Sequence, residues 1–232
     1  MIQALLQRYE KKIERRKLEK RTAFGAFAGR IGLVSNLFLF VSKFMIGLLS
    51  GSVSIMADAI NSLSDTISSV LTLVGFYIAG KPADKEHPYG HERFEYISGM
   101  LVSLVITFIG FEFLTTSVDR ILHPESIKVT PILFAVLALS IGIKIWQGLF
   151  YKKVSAKIDS QALVASAKDS FNDVYTTLAV LISAFIEGVT GLRIDGYIGF
   201  LIAAYIIYSG LQLIREFINE LMGMRPSQTE ID

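Results

Sequence analysis

Residues 51–80, GSVSIMADAINSLSDTISSVLTLVGFYIAG, form a long apolar stretch that is interrupted by Asp58, Asn61 and Asp65. In an α-helix, positions three, four and seven apart share a face, so these three side chains point the same way. A carboxylate at the centre of a bilayer costs at least about 2.5 kcal/mol. One polar face on an otherwise apolar helix therefore indicates a functional site inside a membrane protein.

The composition of the whole chain supports a location in the membrane. Its 232 residues are 52% hydrophobic and 19% charged, and the mean hydropathy is +0.49. Several segments reach about 20 residues with few charges, which is the length that crosses a hydrocarbon core. The chain has no cysteine, which excludes disulfides and thiolate metal sites, and a formal net charge of +2 does not favour nucleic acid as a partner.

We predict an all-α membrane protein with six transmembrane helices after a basic amphipathic N-terminal helix. Residues 1–28 are the cytoplasmic N-terminal segment, 29–222 the transmembrane domain and 223–232 a cytoplasmic tail. The predicted spans are Ile31–Ser50, Val53–Gly80, Phe94–Val118, Pro131–Tyr151, Leu163–Glu187 and Gly196–Leu221.

The charge distribution predicts the orientation of the chain. Lysine and arginine are concentrated before the first span and in the second and fourth loops, whereas the first loop has neither and the fifth has only Arg193. By the positive-inside rule both termini face the cytoplasm. The N-terminal segment alternates apolar and basic residues near helical spacing, which is typical of a helix on an anionic membrane surface; a solvated helix start is the alternative.

The fifth span repeats the arrangement of the second. Asp169 and Asp173 lie four residues apart on one face, and Asn172 flanks them. Together with Asn61 and Asp65 they offer only oxygen ligands, which suit hard cations such as Mn²⁺, Mg²⁺ or Ca²⁺. Zn²⁺ usually draws histidine or cysteine, and the predicted spans contain neither. This pattern predicts a cation site between the two helices, with Asp58 as a possible accessory residue.

An ion-pair network within the membrane is the alternative to a metal site. Lys43 in the first span and Lys144 in the fourth are the possible partners, and Glu112 in the third span competes for them. The chain would then be a non-transporting membrane scaffold whose acids join its helices. Two lysines do not neutralise four acids, so the pattern favours one ion held between helices.

A second metal site is predicted in the loop after the second span. Asp84, His87 and His91 are spaced by three and four residues, so a short loop can turn all three toward one ion of the Mn²⁺ or Zn²⁺ kind. The alternative is a surface loop with exposed histidines.

Three motifs in a fixed order carry a resemblance to a known family. They are GSVSIMADAINSLSD in the second span, DKEHPYGHERFE in the following loop and SQALVASAKDSFND at the start of the fifth span. Over residues 20–225 the chain resembles the cation diffusion facilitators, which are bacterial antiporters of divalent metals and protons. The resemblance implies an integral, multi-pass protein of the bacterial plasma membrane that forms a homodimer.

The resemblance also implies roles for particular residues. The transported metal would bind Asn61, Asp65, Asp169 and Asp173, and the second site would map to the loop residues. Zinc-transporting members usually have histidine at one or two of the four positions. Asn61 and Asp169 in those places resemble the manganese-exporting branch.

The implied function is the export of Mn²⁺ from the cytoplasm in exchange for protons by alternating access. Export of Zn²⁺, Fe²⁺, Co²⁺ or Cd²⁺ is the alternative within the family. The partners are then the metal, protons and the lipid bilayer, with no organic cofactor. We do not expect an enzyme, because no nucleophile–base pair and no phosphate-binding loop are recognisable in the sequence.

Two departures from the family pattern are expected to matter. Members usually continue into a cytoplasmic C-terminal domain, which we expect to be absent here because the chain ends where that domain would begin. Some members also join their dimer through a basic residue after the loop motif and an acid after the sixth span. Arg93 fits the first role, but Gly223 stands at the second position.

Overall fold

The computed structural model of the chain describes residues 2, 6–10, 20–78, 92–158 and 160–222. Within those ranges all regular secondary structure is helical, which confirms the predicted all-α class. The long helices are α1 (Lys20–Ser50), α2 (Val53–Ile78), α3 (Glu92–Leu122), α4 (Pro131–Ile158), α5 (Gln161–Thr190) and α6 (Asp195–Met222).

Four of these helices are long and apolar enough to cross a bilayer, judged over the described residues. The crossing segments are Ala23–Ser50, Pro131–Ile158, Leu163–Thr190 and Asp195–Asn219. α2 and α3 have 26 and 31 residues and are therefore also long enough. That all six helices span the membrane stays a prediction.

The helices pack in three principal pairs, α1 with α2, α3 with α6 and α4 with α5, and α2 also contacts α3, α5 and α6. Glycine permits the close approach within two of the pairs. A Cβ atom on Gly47 of α1 would lie 2.8 Å from Cγ of Met56, and one on Gly110 of α3 would lie 2.9 Å from Cγ1 of Ile207. Small residues at such crossings are common in membrane proteins, where association depends on close packing.

Two polar contacts at one end of the bundle determine where α5 ends and where α2 begins. We call this end, which carries residues 51–52, 123–130 and 191–194, the far end. Gly191 has a φ of 70°, which a side chain disfavours, and its N–H donates to the carbonyl of Glu187 at 2.9 Å. Asp195 at the start of α6 accepts from Ser52 Oγ at 2.6 Å and from Val53 N at 2.8 Å. Its carboxylate therefore caps α2 from another helix.

The N-terminal residues pack against the opposite end of the bundle, which we call the N-terminal end. Ile2 and Leu6 are buried in a cluster with residues of α1, α4 and α5, and the ring of Tyr9 stacks on Phe27 at 4.0 Å. Glu10 accepts from Lys157 Nζ at 2.6 Å. The buried apolar residues Ile2 and Leu6 of this segment thus face the bundle; that the segment also lies on an anionic membrane surface stays a prediction.

Candidate functional site

A cluster of polar side chains lies near the middle of the bundle; four of its five members are at least twelve residues from both ends of their helices, and Asn61 is eight residues from the start of α2. We call it the central cluster, and its members are Asn36 of α1, Asn61 and Asp65 of α2, Lys144 of α4 and Asp173 of α5. Twelve residues of helix span about 18 Å, so the cluster lies deep in the bundle. Its members are buried, apart from the partly exposed Asp65.

Lys144 lies at the centre of this cluster. Its Nζ atom is 2.7 Å from Oδ2 of Asp65 and 2.5 Å from Oδ2 of Asp173. It also donates to Oδ1 of Asn36 at 3.0 Å. The side chain of Lys144 is only 2% exposed. One ammonium therefore joins three oxygens that come from three other helices.

Asn61 and Asp173 connect the two predicted half-sites directly. Nδ2 of Asn61 donates to Oδ1 of Asp173 at 2.6 Å. The residues predicted on the second and fifth spans thus meet across the interface of α2 and α5, as the sequence pattern required. That they bind a metal stays a prediction.

A cavity of about 80 Å³ adjoins the cluster. This volume is several times the 10–15 Å³ (about one probe sphere) that a single water requires, so the space admits a partly hydrated ion. Its walls include Asp65, Lys144, Asp173 and the exposed Asp169. They continue to Gly29 and Leu163, and the cavity therefore extends from the cluster toward the N-terminal end.

Asp58 does not line this cavity. It pairs with Lys43 of α1 at 2.8 Å, and both side chains are fully buried. Thr177 of α5 donates to Oδ2 of Asp58 at 3.0 Å and accepts from Lys43 at 2.9 Å. The structure therefore separates Asp58 from the other predicted site residues and gives it a basic partner.

These buried polar residues lie in two layers: the central cluster, and a second polar layer of Lys43, Asp58 and Thr177. The two layers follow from helical spacing. Asn36 and Lys43 are seven apart on α1, and Asp58 and Asp65 are seven apart on α2, so α1 and α2 each contribute to both layers. The sequence analysis did not single out Asn36 or Thr177. The same signal could have found both. Asn36 is seven residues before Lys43 and Thr177 is four residues after Asp173, so each shares a helix face with a charged residue.

The predicted competitor for the lysines does not reach them. Glu112 is exposed on α3, and each lysine pairs with an acid of α2. The predicted loop site of Asp84, His87 and His91 lies outside the described residues, and so do Gly223 and the side chain of Arg93.

The arrangement can bind a cation, but not without rearrangement. Asp58, Asp65, Asp169 and Asp173 carry four formal negative charges, and Lys43 and Lys144 carry two positive ones, which leaves an excess of two. In the described part of the chain, no three acidic or histidine side chains are grouped to hold a metal. The ammonium of Lys144 occupies the space between the two nearest carboxylates.

Comparison with known proteins assigns the chain to a family. Residues 30–222 match the cation efflux transmembrane domain. An uncharacterized transporter of Methanocaldococcus jannaschii is 32% identical over 196 residues, which cover 84% of this chain and 69% of that protein. The magnetosome protein MamM of Paramagnetospirillum magneticum is 36% identical over 155 residues, which cover 66% of this chain and 48% of MamM.

The name of a third relative refers to one metal, manganese. The manganese efflux system protein MneP of Bacillus subtilis is 28% identical over 216 residues, which cover 90% of this chain and 70% of MneP. The chain thus spans about half the length of MamM, at 48%, and 70% of MneP. Because the domain match covers most of the chain, we conclude that it is an integral membrane protein of the cation efflux family, whose members are transporters of metal cations.

Proposed function

We propose that the chain exports Mn²⁺ from the cytoplasm in exchange for protons, with Asn61, Asp65, Asp169 and Asp173 as the metal ligands. The observation that carries the proposal is that carboxylates of α2 and α5, those of Asp65, Asp169 and Asp173, line one cavity, with Asn61 bonded to Asp173 beside them. Carboxylate and amide oxygens suit Mn²⁺ better than softer metals. The similarity to a manganese efflux protein supports the same choice.

The cavity supports entry from the N-terminal end, which is the cytoplasmic side in the predicted orientation. Its walls extend from the cluster toward Gly29 and Leu163. On the other side of the cluster stand the pair of Lys43 and Asp58 and then a packed apolar core that includes Ile55 and Leu133. Export requires the helices to rock and open this second side, as in other transporters with a central site.

The excess of two negative charges supports exchange with protons. An apolar bundle disfavours uncompensated charge, so the empty site gains from binding two protons or one divalent cation. Protons from outside then help to release the metal. The alternative of a non-transporting scaffold does not account for acids in excess of lysines beside a cavity that ions can reach.

The test is metal uptake into proteoliposomes that contain the purified protein under an imposed pH gradient. We expect uptake of Mn²⁺ above that of Zn²⁺, Fe²⁺, Co²⁺ and Cd²⁺, and little uptake with Asp173→Asn. Glu112→Gln is the matched control, since that acid is exposed and outside the cluster, and it should transport like the wild type. Equal uptake by Asp173→Asn and the wild type would remove Asp173 from the site.

A further inference from the structure

We propose that Lys144 is a tethered cation of the transport site, and that its ammonium occupies the place between Asp65 and Asp173 that the metal must take. The metal then binds by displacing the ammonium, and Lys144 limits how tightly the metal is held. This inference rests on the proposed function, because it assumes that a divalent cation binds the central cluster.

The first argument is the chemistry around the ammonium. Nζ of Lys144 is held by two carboxylate oxygens and one amide oxygen, at 2.7, 2.5 and 3.0 Å. These oxygens come from Asp65, Asp173 and Asn36, on three different helices. Such a set of hard oxygen donors around one positive atom resembles the shell that a hard metal cation prefers. The metal ligands can close on an ion only when the ammonium has left.

The second argument is an acceptor toward which the ammonium can move. Gln147 lies three residues after Lys144 and therefore on the same face of α4, and both side chains line the cavity. Nε2 of Gln147 donates to the hydroxyl of Tyr151 at 3.0 Å. Its Oε1 atom is buried and has no hydrogen-bond partner among the described residues. A buried amide oxygen without a partner is costly, and the displaced ammonium satisfies it.

The third argument concerns the charge that the metal meets. A positive charge that stays beside a bound divalent cation repels it, and the repulsion is strong in a poorly polarisable site. Replacing Lys144 by a neutral side chain removes both the competitor and this repulsion. We expect the Kd for Mn²⁺ to fall by about tenfold or more, which corresponds to about 1.4 kcal/mol per factor of ten. Slower release should lower kcat and KM together.

The experiment uses the absence of cysteine from the chain. Lys144→Cys introduces the only thiol, and one folded preparation is divided in two. One half is treated with 2-aminoethyl methanethiosulfonate, which restores an ammonium on a side chain about one atom longer, and the other with methyl methanethiosulfonate, which leaves a neutral one. Mn²⁺ binding to each is measured from the loss of the free-ion electron paramagnetic resonance signal. We expect the neutral adduct to bind about tenfold more tightly than the charged adduct.

The control removes the other buried lysine without leaving its acid unpaired. In Lys43→Gln combined with Asp58→Asn, the second polar layer becomes neutral while the central cluster is unchanged. Its affinity for Mn²⁺ should stay within about threefold of the wild type, because the charges of a neutralised pair largely cancel at a distance. If the cysteine variant does not fold, Lys144→Arg and Lys144→Met supply the charged and neutral forms for the same titration.

The outcomes separate this inference from the proposed function. If the wild type binds Mn²⁺, Asp173→Asn does not, and the two adducts bind equally, the inference about Lys144 is wrong and the proposed site stands. A neutral form that binds more weakly than the charged form also overturns it. Failure of the wild type to bind Mn²⁺ overturns both.

Discussion

Asn61 is the residue of the proposed site at which one donor atom should decide between metals. Its amide donates to Asp173 and thereby joins α2 and α5, the two helices between which we propose the metal site. An amide supplies one neutral oxygen, whereas histidine at the same place would supply a nitrogen, which Zn²⁺ favours. We therefore expect the choice of donor atom at this position to affect selectivity without changing the charge of the site.

The substitution Asn61→His should move the preference of the site toward Zn²⁺. We expect the ratio of Zn²⁺ to Mn²⁺ uptake to rise by about tenfold, or roughly 1.4 kcal/mol of relative binding free energy. Competitive uptake of both metals into proteoliposomes measures the ratio. Asn172→His is the matched control, because Asn172 lies on α5 but lines a different groove. An unchanged ratio in Asn61→His would show that Asn61 is not a ligand.

At the scale of the helices, the start of α2 depends on an acid from another element. Asp195 is 2% exposed, and besides the two bonds already described it accepts from Ser54 Oγ at 2.5 Å. The first N–H groups of a helix have no partners within the helix, and a buried helix start needs them satisfied. Asp195 therefore fixes the far end of the helix that carries Asn61 and Asp65.

The substitution Asp195→Ala should destabilise the protein substantially. It leaves buried donors of Ser52, Val53 and Ser54 without their acceptor, at a cost of about 2–3 kcal/mol. For a chain of this size the loss corresponds to a fall of about 4–12 °C in the unfolding midpoint. Thermal unfolding in detergent measures it, with Asp119→Ala as the control, since the carboxylate of Asp119 is three-quarters exposed. Equal midpoints for the two variants would contradict the capping role.

The N-terminal segment has a contact that depends on pH. The hydrogen bond from Lys157 holds the pKa of Glu10 below its usual value of 4.5. Because the pKa is lowered in the folded protein, the contribution of this contact to stability is fully present above the usual pKa of Glu10. It is lost as the pH falls through the lower pKa of the folded state. Exposed pairs contribute only about 0–1 kcal/mol, so the packing of Ile2 and Leu6 should hold the segment partly in place.

A spin label attached to Gln7→Cys, at an exposed position in the same segment, reports this release. We expect its mobility to be constant from neutral pH down to about pH 5 and to increase only below about pH 4, because the pKa is lowered. In a Glu10→Gln background the mobility should be higher at neutral pH and should not change with acid. A pH-dependent change of the same size in that background would assign the effect to another group.

At the scale of the whole molecule, four acids and two lysines are placed so that their formal charges leave an excess of two negatives. The pair of Lys43 and Asp58 is closed off by packing, whereas the cluster around Lys144 adjoins the cavity. The excess therefore lies at the cavity, where ions can reach it. In the proposed function, this distribution is what links the uptake of a divalent cation to the release of protons.

Binding of Mn²⁺ should release up to two protons per metal at about pH 6–8, because the empty site favours neutrality in an apolar bundle. Calorimetric titrations in buffers with different ionisation enthalpies measure the number of protons. Asp169→Asn should reduce it by removing one acid from the cavity wall. Binding that releases no protons anywhere in this range would contradict proton exchange.

Much of the fold was predictable because its signals are local. The apolar length of a span and the seven-residue spacing of Asp58 and Asp65 are set by the helix itself, and they placed the polar faces correctly. The surroundings of the N-terminal segment were not predictable, since an apolar face does not specify whether it will meet lipid or protein. Only the packing of Ile2 and Leu6 on the bundle decides this.

The sequence by itself determined that the chain is helical, that it belongs in a membrane, and that α2 and α5 each carry acids on one face. Only the tertiary structure decided which basic group meets which acid. Lys144 and Asp65 are 79 residues apart in the chain, and Lys43 and Thr177 are 134 apart. Helical periodicity is a property of neighbouring residues, whereas these pairings depend on how four helices pack around one another. Through that packing, acids of α2 and α5 contact the ammonium of Lys144, so the proposed site already contains a positive charge.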